Sequence, residues 1–174
     1  MRISDAPWLK DHQVHGDIVF PAAGMICAVV EAVRQYTESN GYDKDVSGFE
    51  LRELSISQPL VIPNDDTGAE IYLHLKQRTL GIGGTESPWL EFSFCSCQQD
   101  DVFVEHACGL ARVQHMQPVT EVDGGKELRE EILAYQERWA NKHGTCEHPV
   151  ASPTHYEFCK DQGLIFGKKE LDDL

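Results

Sequence analysis

The stretch Pro21-Ala22-Ala23-Gly24-Met25-Ile26-Cys27-Ala28-Val29-Val30 holds no charged or strongly polar side chain, and it continues as Glu31-Ala32-Val33-Arg34-Gln35-Tyr36 up to Asn40-Gly41. Proline at the first helical position and glycine past the last turn are start and stop signals for a helix. A helix that is apolar all round in its first half has to be wrapped by other structure on most of its sides. The fold is therefore expected to form around this central helix.

Downstream the apolar period changes from that of a helix to two. Leu54 and Ile56 alternate with Ser55 and Ser57; Ile71, Leu73 and Leu75 with Glu70, Tyr72, His74 and Lys76; Leu90, Phe92 and Phe94 with Glu91, Ser93 and Cys95. Such alternation predicts half-buried strands. Turns are expected at Pro59, at Pro63 to Gly68, at Gly81-Ile82-Gly83-Gly84 and at Gln98 to Asp101, with a last strand from about Val102 to Gln114. The order reads as a helix followed by an antiparallel meander. After Pro118 comes a surface helix with Leu128, Ile132, Tyr135 and Trp139 along one stripe, then a linker at about Gly144 to Ser152. Ser152-Pro153 looks like a cap and first-turn proline for a short helix ending at Gly163, and Leu164-Ile165-Phe166 starts a new strand. No internal repeat recurs at a fixed period.

A chain of 174 residues fits one domain with its own core. Its 15 basic and 29 acidic residues give a formal charge of -14, the wrong sign for neutralising nucleic-acid phosphates or for binding anionic lipid. No apolar run approaches the roughly 18 residues of a spanning helix. Residues Met1 to Lys10 lack the layout of a secretory signal, so the six cysteines read as reduced thiols of a soluble cytoplasmic protein. Neither nucleic acid nor membrane is an expected partner.

The densest polar cluster beside the helix is Asp11-His12-Gln13-Val14-His15-Gly16-Asp17, joined to it by Ile18-Val19-Phe20-Pro21. A histidine at a sheet edge just before a buried helix is placed for proton abstraction near neutral pH, where imidazole can act as a base. The plainer alternative is that either histidine satisfies a turn. Cys95, Cys97, His106 and Cys108 invite a metal site, but Cys95-Ser96-Cys97 fits strand alternation better than the close turn-borne pairs of zinc sites, and buried thiols are expected instead. Gly81 to Gly84 lacks the helix and lysine of a phosphate cradle, and no Gly-x-Ser-x-Gly motif is present. No metal and no cofactor is expected.

The spacing His12, Gly16, Pro21 matches the HxxxGxxxxP signature of polyketide synthase dehydratase domains. Pro7-Trp8-Leu9-Lys10-Asp11-His12, Phe20 to Gly24, Leu51 to Pro63 and Val104-Glu105-His106-Ala107-Cys108-Gly109-Leu110 resemble the fungal highly reducing type, in order and spacing along nearly the whole chain. The resemblance implies a hotdog fold of the α+β class, an antiparallel sheet wrapped around a long central helix. One such hotdog would correspond to half of a double-hotdog dehydratase. It also implies that His12 removes the α-proton of a β-hydroxyacyl thioester on an acyl carrier protein, with Gly16 and Pro21 shaping the turn that presents it. An aspartate of the second hotdog then protonates the departing hydroxyl. The expected layout is an N-terminal hotdog over residues 1–118, a surface helix and linker over 119–152, and a truncated start of a second hotdog over 153–174.

Departures from the family pattern shape the functional expectation. Tyr156 to Gly167 looks like the opening of the second hotdog, but the family's Pro-x-Phe is replaced by Lys168-Lys169-Glu170, so the second hotdog and its acid are expected to be missing. An exposed sheet edge favours a homodimer. Dimerisation alone does not restore the acid, because the helix position that would carry it falls near Gly24 or Met25. Glu31 lies too far along the helix, which leaves His15 and Asp17 as candidate substitutes in the pocket or its loop. Two functions remain open. One is an enzyme using His12 on a polyketide or β-hydroxyacyl substrate, free or carrier-bound, for dehydration, isomerisation or cyclisation. The other is a non-catalytic dehydratase half that docks to a larger synthase. An acidic carrier would need a local basic patch from Lys168, Lys169, Arg34 or Arg138.

Overall fold

The computed structural model describes residues 1–42, 45–65, 67–80, 85–97, 102–116, 126–146, 148 and 150–166. A 3-10 turn at Pro7–Asp11 leads into a small hairpin, β1 (Gln13–Val14) and β2 (Asp17–Phe20), and then into the 18-residue helix α1 (Ala22–Ser39). There follow β3 (Val46–Ile56), β4 (Leu60–Val61), β5 (Glu70–Leu80), β6 (Thr85–Cys97), β7 (Phe103–His115), α2 (Lys126–Thr145), α3 (Ser152–Asp161) and β8 (Leu164–Ile165). The hairpins expected at 81–84 and 98–101 fall outside the described residues.

α1 starts one residue later than expected and ends where expected. Pro21 is the N-cap, in extended conformation, and Asn40 caps the C-terminus with Gly41 beyond it at φ +71°. α3, by contrast, starts one residue earlier than expected, with Ser152 inside the helix and Ala151 as its N-cap. The buried side chains of α1 are Met25, Val29, Val33 and Thr37, a single stripe at intervals of four. The expected wrapping on most sides is therefore not observed. Ala22, Ala23 and Cys27 are exposed, and Ile26 and Val30 half-buried, because the sheet curls round one face of the helix only.

The larger sheet runs β3-β7-β6-β5 and the smaller β4-β2-β1-β8, each with four strands. β5, β6 and β7 form the expected meander, but β3 docks beyond β7 and not beside β5. β4, which follows β3 in the chain, belongs to the smaller sheet and pairs there with β2. The inward set of β6, Leu90, Phe92 and Phe94, is buried as the alternation requires. Leu54 and Ile56 are not: they are 40% and 45% exposed on the edge strand β3. Glu53 there has φ +52°, and the β3–β7 register shifts between Arg52 and Ser55. That bulge turns the end of β3 out of the alternation. On α2 the side chains of Ile132, Leu133, Tyr135 and Trp139 are exposed, and β8 pairs with β1. No helix among the described residues is long and apolar enough to cross a membrane.

Opposite the core-facing Ala111 and Val113 of β7, Arg112 joins a charged cluster. Its guanidinium and that of Arg52 lie over the Trp89 ring at 4.6 and 4.8 Å, and both donate to the Glu50 carboxylate. The Arg112 contact first, then those of Arg52 and Gln114, hold the Glu50 carboxyl below its usual range. A depressed carboxyl stabilises the fold above the unfolded-state value of 4.5 and loses that contribution as pH falls through the folded value. Glu50→Gln is accordingly expected to melt below wild type at pH 7, with the difference shrinking as pH falls below 4.5 and through the lower folded value. Thermal melts over pH 3 to 7 check this, and a difference that grows on acidification contradicts it.

Candidate functional site

His12 is placed by two constraints that the chain builds locally. Its N–H closes the 3-10 turn onto the Leu9 carbonyl at 3.1 Å, and its own carbonyl accepts the Val19 N–H at 3.1 Å. The chain reverses between these two residues through His15 and Gly16, with φ of +51° and +92°, while Val14 pairs with Asp17. A two-residue hairpin with both central φ positive needs glycine at least at one position. Gly16 supplies it, which gives the motif spacing a backbone reason. Pro21, at φ −60° and ψ 139°, then turns β2 into α1 and accepts the Met25 N–H at 3.2 Å.

The His12 ring nitrogens are thereby differentiated. Nδ1 lies 2.7 Å from the Val19 carbonyl oxygen, which can only accept, so Nδ1 carries the proton and donates it. Nε2 is left with its lone pair, and nothing among the described residues hydrogen-bonds it. This is the tautomer a general base requires. Phe166 packs against the ring edge-on at 6.0 Å between centroids, and Tyr156 packs on Phe166 in turn at 5.8 Å. His12 lines a cleft of about 380 Å³ together with Val19, Phe20, Ala22, Met25, Ile56 and the segment Ser57 to Pro59. The walls are mostly apolar, and among the described residues no carboxylate lines the cleft.

The other expected site residues lie elsewhere. His15 and Asp17 are exposed on the hairpin tip and do not line the cleft; the His15 N–H is instead tied to the Gly163 carbonyl at 2.7 Å. Gly24 offers no acid, and its Cα is where Phe20 packs: a Cβ there would sit 2.7 Å from the Phe20 ring. Glu31 is exposed and held ionised, its carboxyl lowered to about 2 by hydrogen bonds from Arg34 and Gln35. A carboxylate so held is a poor proton donor. Arg34, expected in a basic patch, spends its charge on Glu31 and Glu38. Arg138 lies over Tyr135, and Lys168 and Lys169 fall outside the described residues.

Among the four candidate metal ligands, Cys95 and His106 are buried and Cys97 and Cys108 half-buried. No group of three or more potential ligands forms among the described residues. Burial first, then Glu105, pushes the Cys108 thiol up, away from the thiolate a metal would need. Sequence alternation did not single out Ser57 to Pro59 as part of the site, since these residues join His12 only through the pairing of distant strands.

A profile of the family described as polyketide synthase dehydratase domain matches residues 1–92. The chain is 33% identical over 168 residues to the highly reducing polyketide synthase tstA of Talaromyces stipitatus, covering 96% of this chain and 6% of that protein. It is 29% identical over 167 residues to the highly reducing polyketide synthase Preu1 of Preussia isomera, covering 96% and 7%. Among solved structures, the dehydratase domain from the CurF module of the curacin polyketide synthase superposes with a TM-score of 0.65 at 18% identity, over 96% of this chain and 50% of that one. The erythromycin dehydratase gives 0.57 at 17% identity, over 97% and 51%. The described fold thus corresponds to one hotdog, half of these dehydratase chains, and to a small fraction of the synthases.

Proposed function

Because the chain belongs to the polyketide synthase dehydratase domain family, we propose that His12 is the general base of a lyase half-site acting on a β-hydroxyacyl thioester. The observation that carries this is the Nδ1–H bond to the Val19 carbonyl beside an apolar cleft, since it leaves Nε2 as an acceptor. Nε2 takes the α-proton, the electron pair of that C–H bond becomes the new C=C bond, and the C–O bond to the β-hydroxyl breaks. The hydroxyl departs as water once an acid protonates it. That acid is expected from outside the His12 cleft, as an aspartate of a second hotdog. Inactive variants of the CurK dehydratase, one with a histidine replaced by phenylalanine and one with an aspartate replaced by asparagine, accord with such a division of labour. The substrate is a small polyketide intermediate, free or tethered to an acyl carrier protein. Gly16 and Pro21 shape the turn, while His15 and Asp17 belong to its loop.

The test is product analysis in D2O. The chain is incubated with 3-hydroxyacyl N-acetylcysteamine thioesters and followed by mass spectrometry and proton NMR. Deuterium entering the α-position is the expected result, because it needs the base alone. Loss of water besides would show that an acid is reached, whereas unchanged mass with a new retention time would point to isomerisation or cyclisation. No exchange and no conversion by a folded chain sinks the catalytic role. A second reading, a non-catalytic half docked to a larger synthase, draws on the absence of a carboxylate among the described cleft residues and on Leu54 and Ile56 exposed along the edge strand β3. Sedimentation of the chain alone separates the two, a homodimer favouring the catalytic half-site and a monomer the docked half.

A further inference from the structure

His106 is a buried imidazole that the proposed reaction does not use. Along β6 and β7, Phe94 pairs with Ala107 and Cys95 with Glu105, so His106 is the extra residue of a bulge. Bulges re-aim a side chain away from plain alternation. Here the ring is only 3% exposed, and both of its nitrogens are engaged. Nε2 lies 2.8 Å from the hydroxyl oxygen of the buried Ser96. Nδ1 lies 3.3 Å from the carbonyl oxygen of Gln58. That carbonyl can only accept, so Nδ1 is the protonated nitrogen and Nε2 accepts from Ser96.

Around this ring the strand β7 grips one short segment from several directions. The Ser57 N–H donates to the His106 carbonyl at 2.9 Å, the Ser57 hydroxyl donates to the Glu105 carbonyl at 2.9 Å, and the Gln58 amide donates to the same Glu105 carbonyl at 3.0 Å. Ser57 to Pro59 lies between β3 and β4 and belongs to neither. Gln58 and Pro59 line the His12 cleft on one side and, on the other, a second cavity of about 570 Å³ that includes Ser96 and His106. The segment is a partition, and the His106 ring is the side chain that holds its carbonyl from behind.

We propose that His106 is a positioning residue that fixes the Ser57 to Pro59 partition and thereby sets the room for the acyl chain in the His12 cleft. The link to the acyl chain rests on the proposed function, while the grip on the partition does not. Two substitutions divide the contacts of the ring. In His106→Asn the amide nitrogen falls where Nδ1 was and keeps the bond to Gln58. In His106→Gln the amide falls where Nε2 was and keeps only the Ser96 contact.

The full chain is followed by NMR with 3-hydroxybutyryl, 3-hydroxyhexanoyl and 3-hydroxydecanoyl N-acetylcysteamine thioesters as probes. In His106→Gln, hydrogen exchange of the Ser57 amide is expected to speed up at least tenfold, and binding of the decanoyl probe to weaken at least tenfold relative to the butyryl one. His106→Asn is expected to stay within threefold of wild type on both, a rescue that a merely structural role would not produce. His12→Ala is expected to leave Ser57 exchange unchanged. If both His106 variants match wild type in exchange and in chain-length preference, the grip is overturned and the proposed function stands. If wild type binds no probe yet Ser57 exchange still separates the two variants, the grip stands and the proposed function falls. Should His106→Gln fail to fold, the nitrogen shifts of the wild-type ring decide: the Nδ1–H tautomer upholds the proposal, and the Nε2–H tautomer overturns it.

Discussion

His12→Ala is expected to slow α-proton exchange on a 3-hydroxyacyl thioester by about 100- to 10,000-fold, the range a positioned general base contributes. Exchange is the appropriate readout because it needs only the lone pair of Nε2, whereas elimination also needs an acid, and no carboxylate lines the cleft among the described residues. Alanine leaves the Val19 carbonyl without its donor, so a loss of rate in that variant alone would mix chemistry with local structure. His12→Asn separates them. Its amide can still donate to Val19 in place of Nδ1, restoring the local bond, but it offers no basic nitrogen. Both variants are therefore expected to lose the same rate, with His12→Asn melting closer to wild type. Exchange within threefold of wild type in both would remove His12 from the reaction.

Which parts of this arrangement can be read along the chain depends on how local their causes are. The bounds of α1 follow from Pro21 and Asn40-Gly41, and the half-buried face of β5 and the buried face of β6 follow from period two, because each is set within a few residues. The His12 turn is local too: Gly16 at positive φ closes a hairpin whose strands are adjacent in sequence. The partition at Ser57 to Pro59 is not. It reaches His12 through β4 crossing to β2, and it is held from β7, far along the chain. The two bulges are equally hidden. Alternation counts residues, so it carries Leu54 and Ile56 into a half-buried strand and gives His106 no reason to point inward, whereas an extra residue at Glu53 or His106 shows only in the pairing register. The uncovered face of α1 has a third cause, since apolar composition says that a helix needs cover and not which side receives it.

Phe94→Ala is expected to destabilise the fold by about 3–5 kcal/mol, the cost of truncating a buried phenylalanine. Phe94 is 2% exposed and stacks on Phe20 with centroids 6.2 Å apart and ring planes 5° from parallel. Leu9, Ile18, Met25, Leu60, Ile62 and Ala107 share its cluster, so one ring joins the 3-10 turn, both sheets and α1. For a domain of this size each kcal/mol lowers Tm by about 2–4 °C, which places the expected drop at roughly 6–20 °C. The cavity does not stay in the core. Phe20 is pressed between Phe94 and the bare Cα of Gly24, and the same Phe20 lines the His12 cleft. Removing Phe94 lets Phe20 fall back, which is expected to widen the His12 cleft. Calorimetry is thus expected to show the Tm drop together with weaker thioester binding, whereas Trp139→Ala, at a side chain 73% exposed on α2, changes neither. A Phe94→Ala chain melting within about 3 °C of wild type would mean that the two sheets and α1 are held together elsewhere.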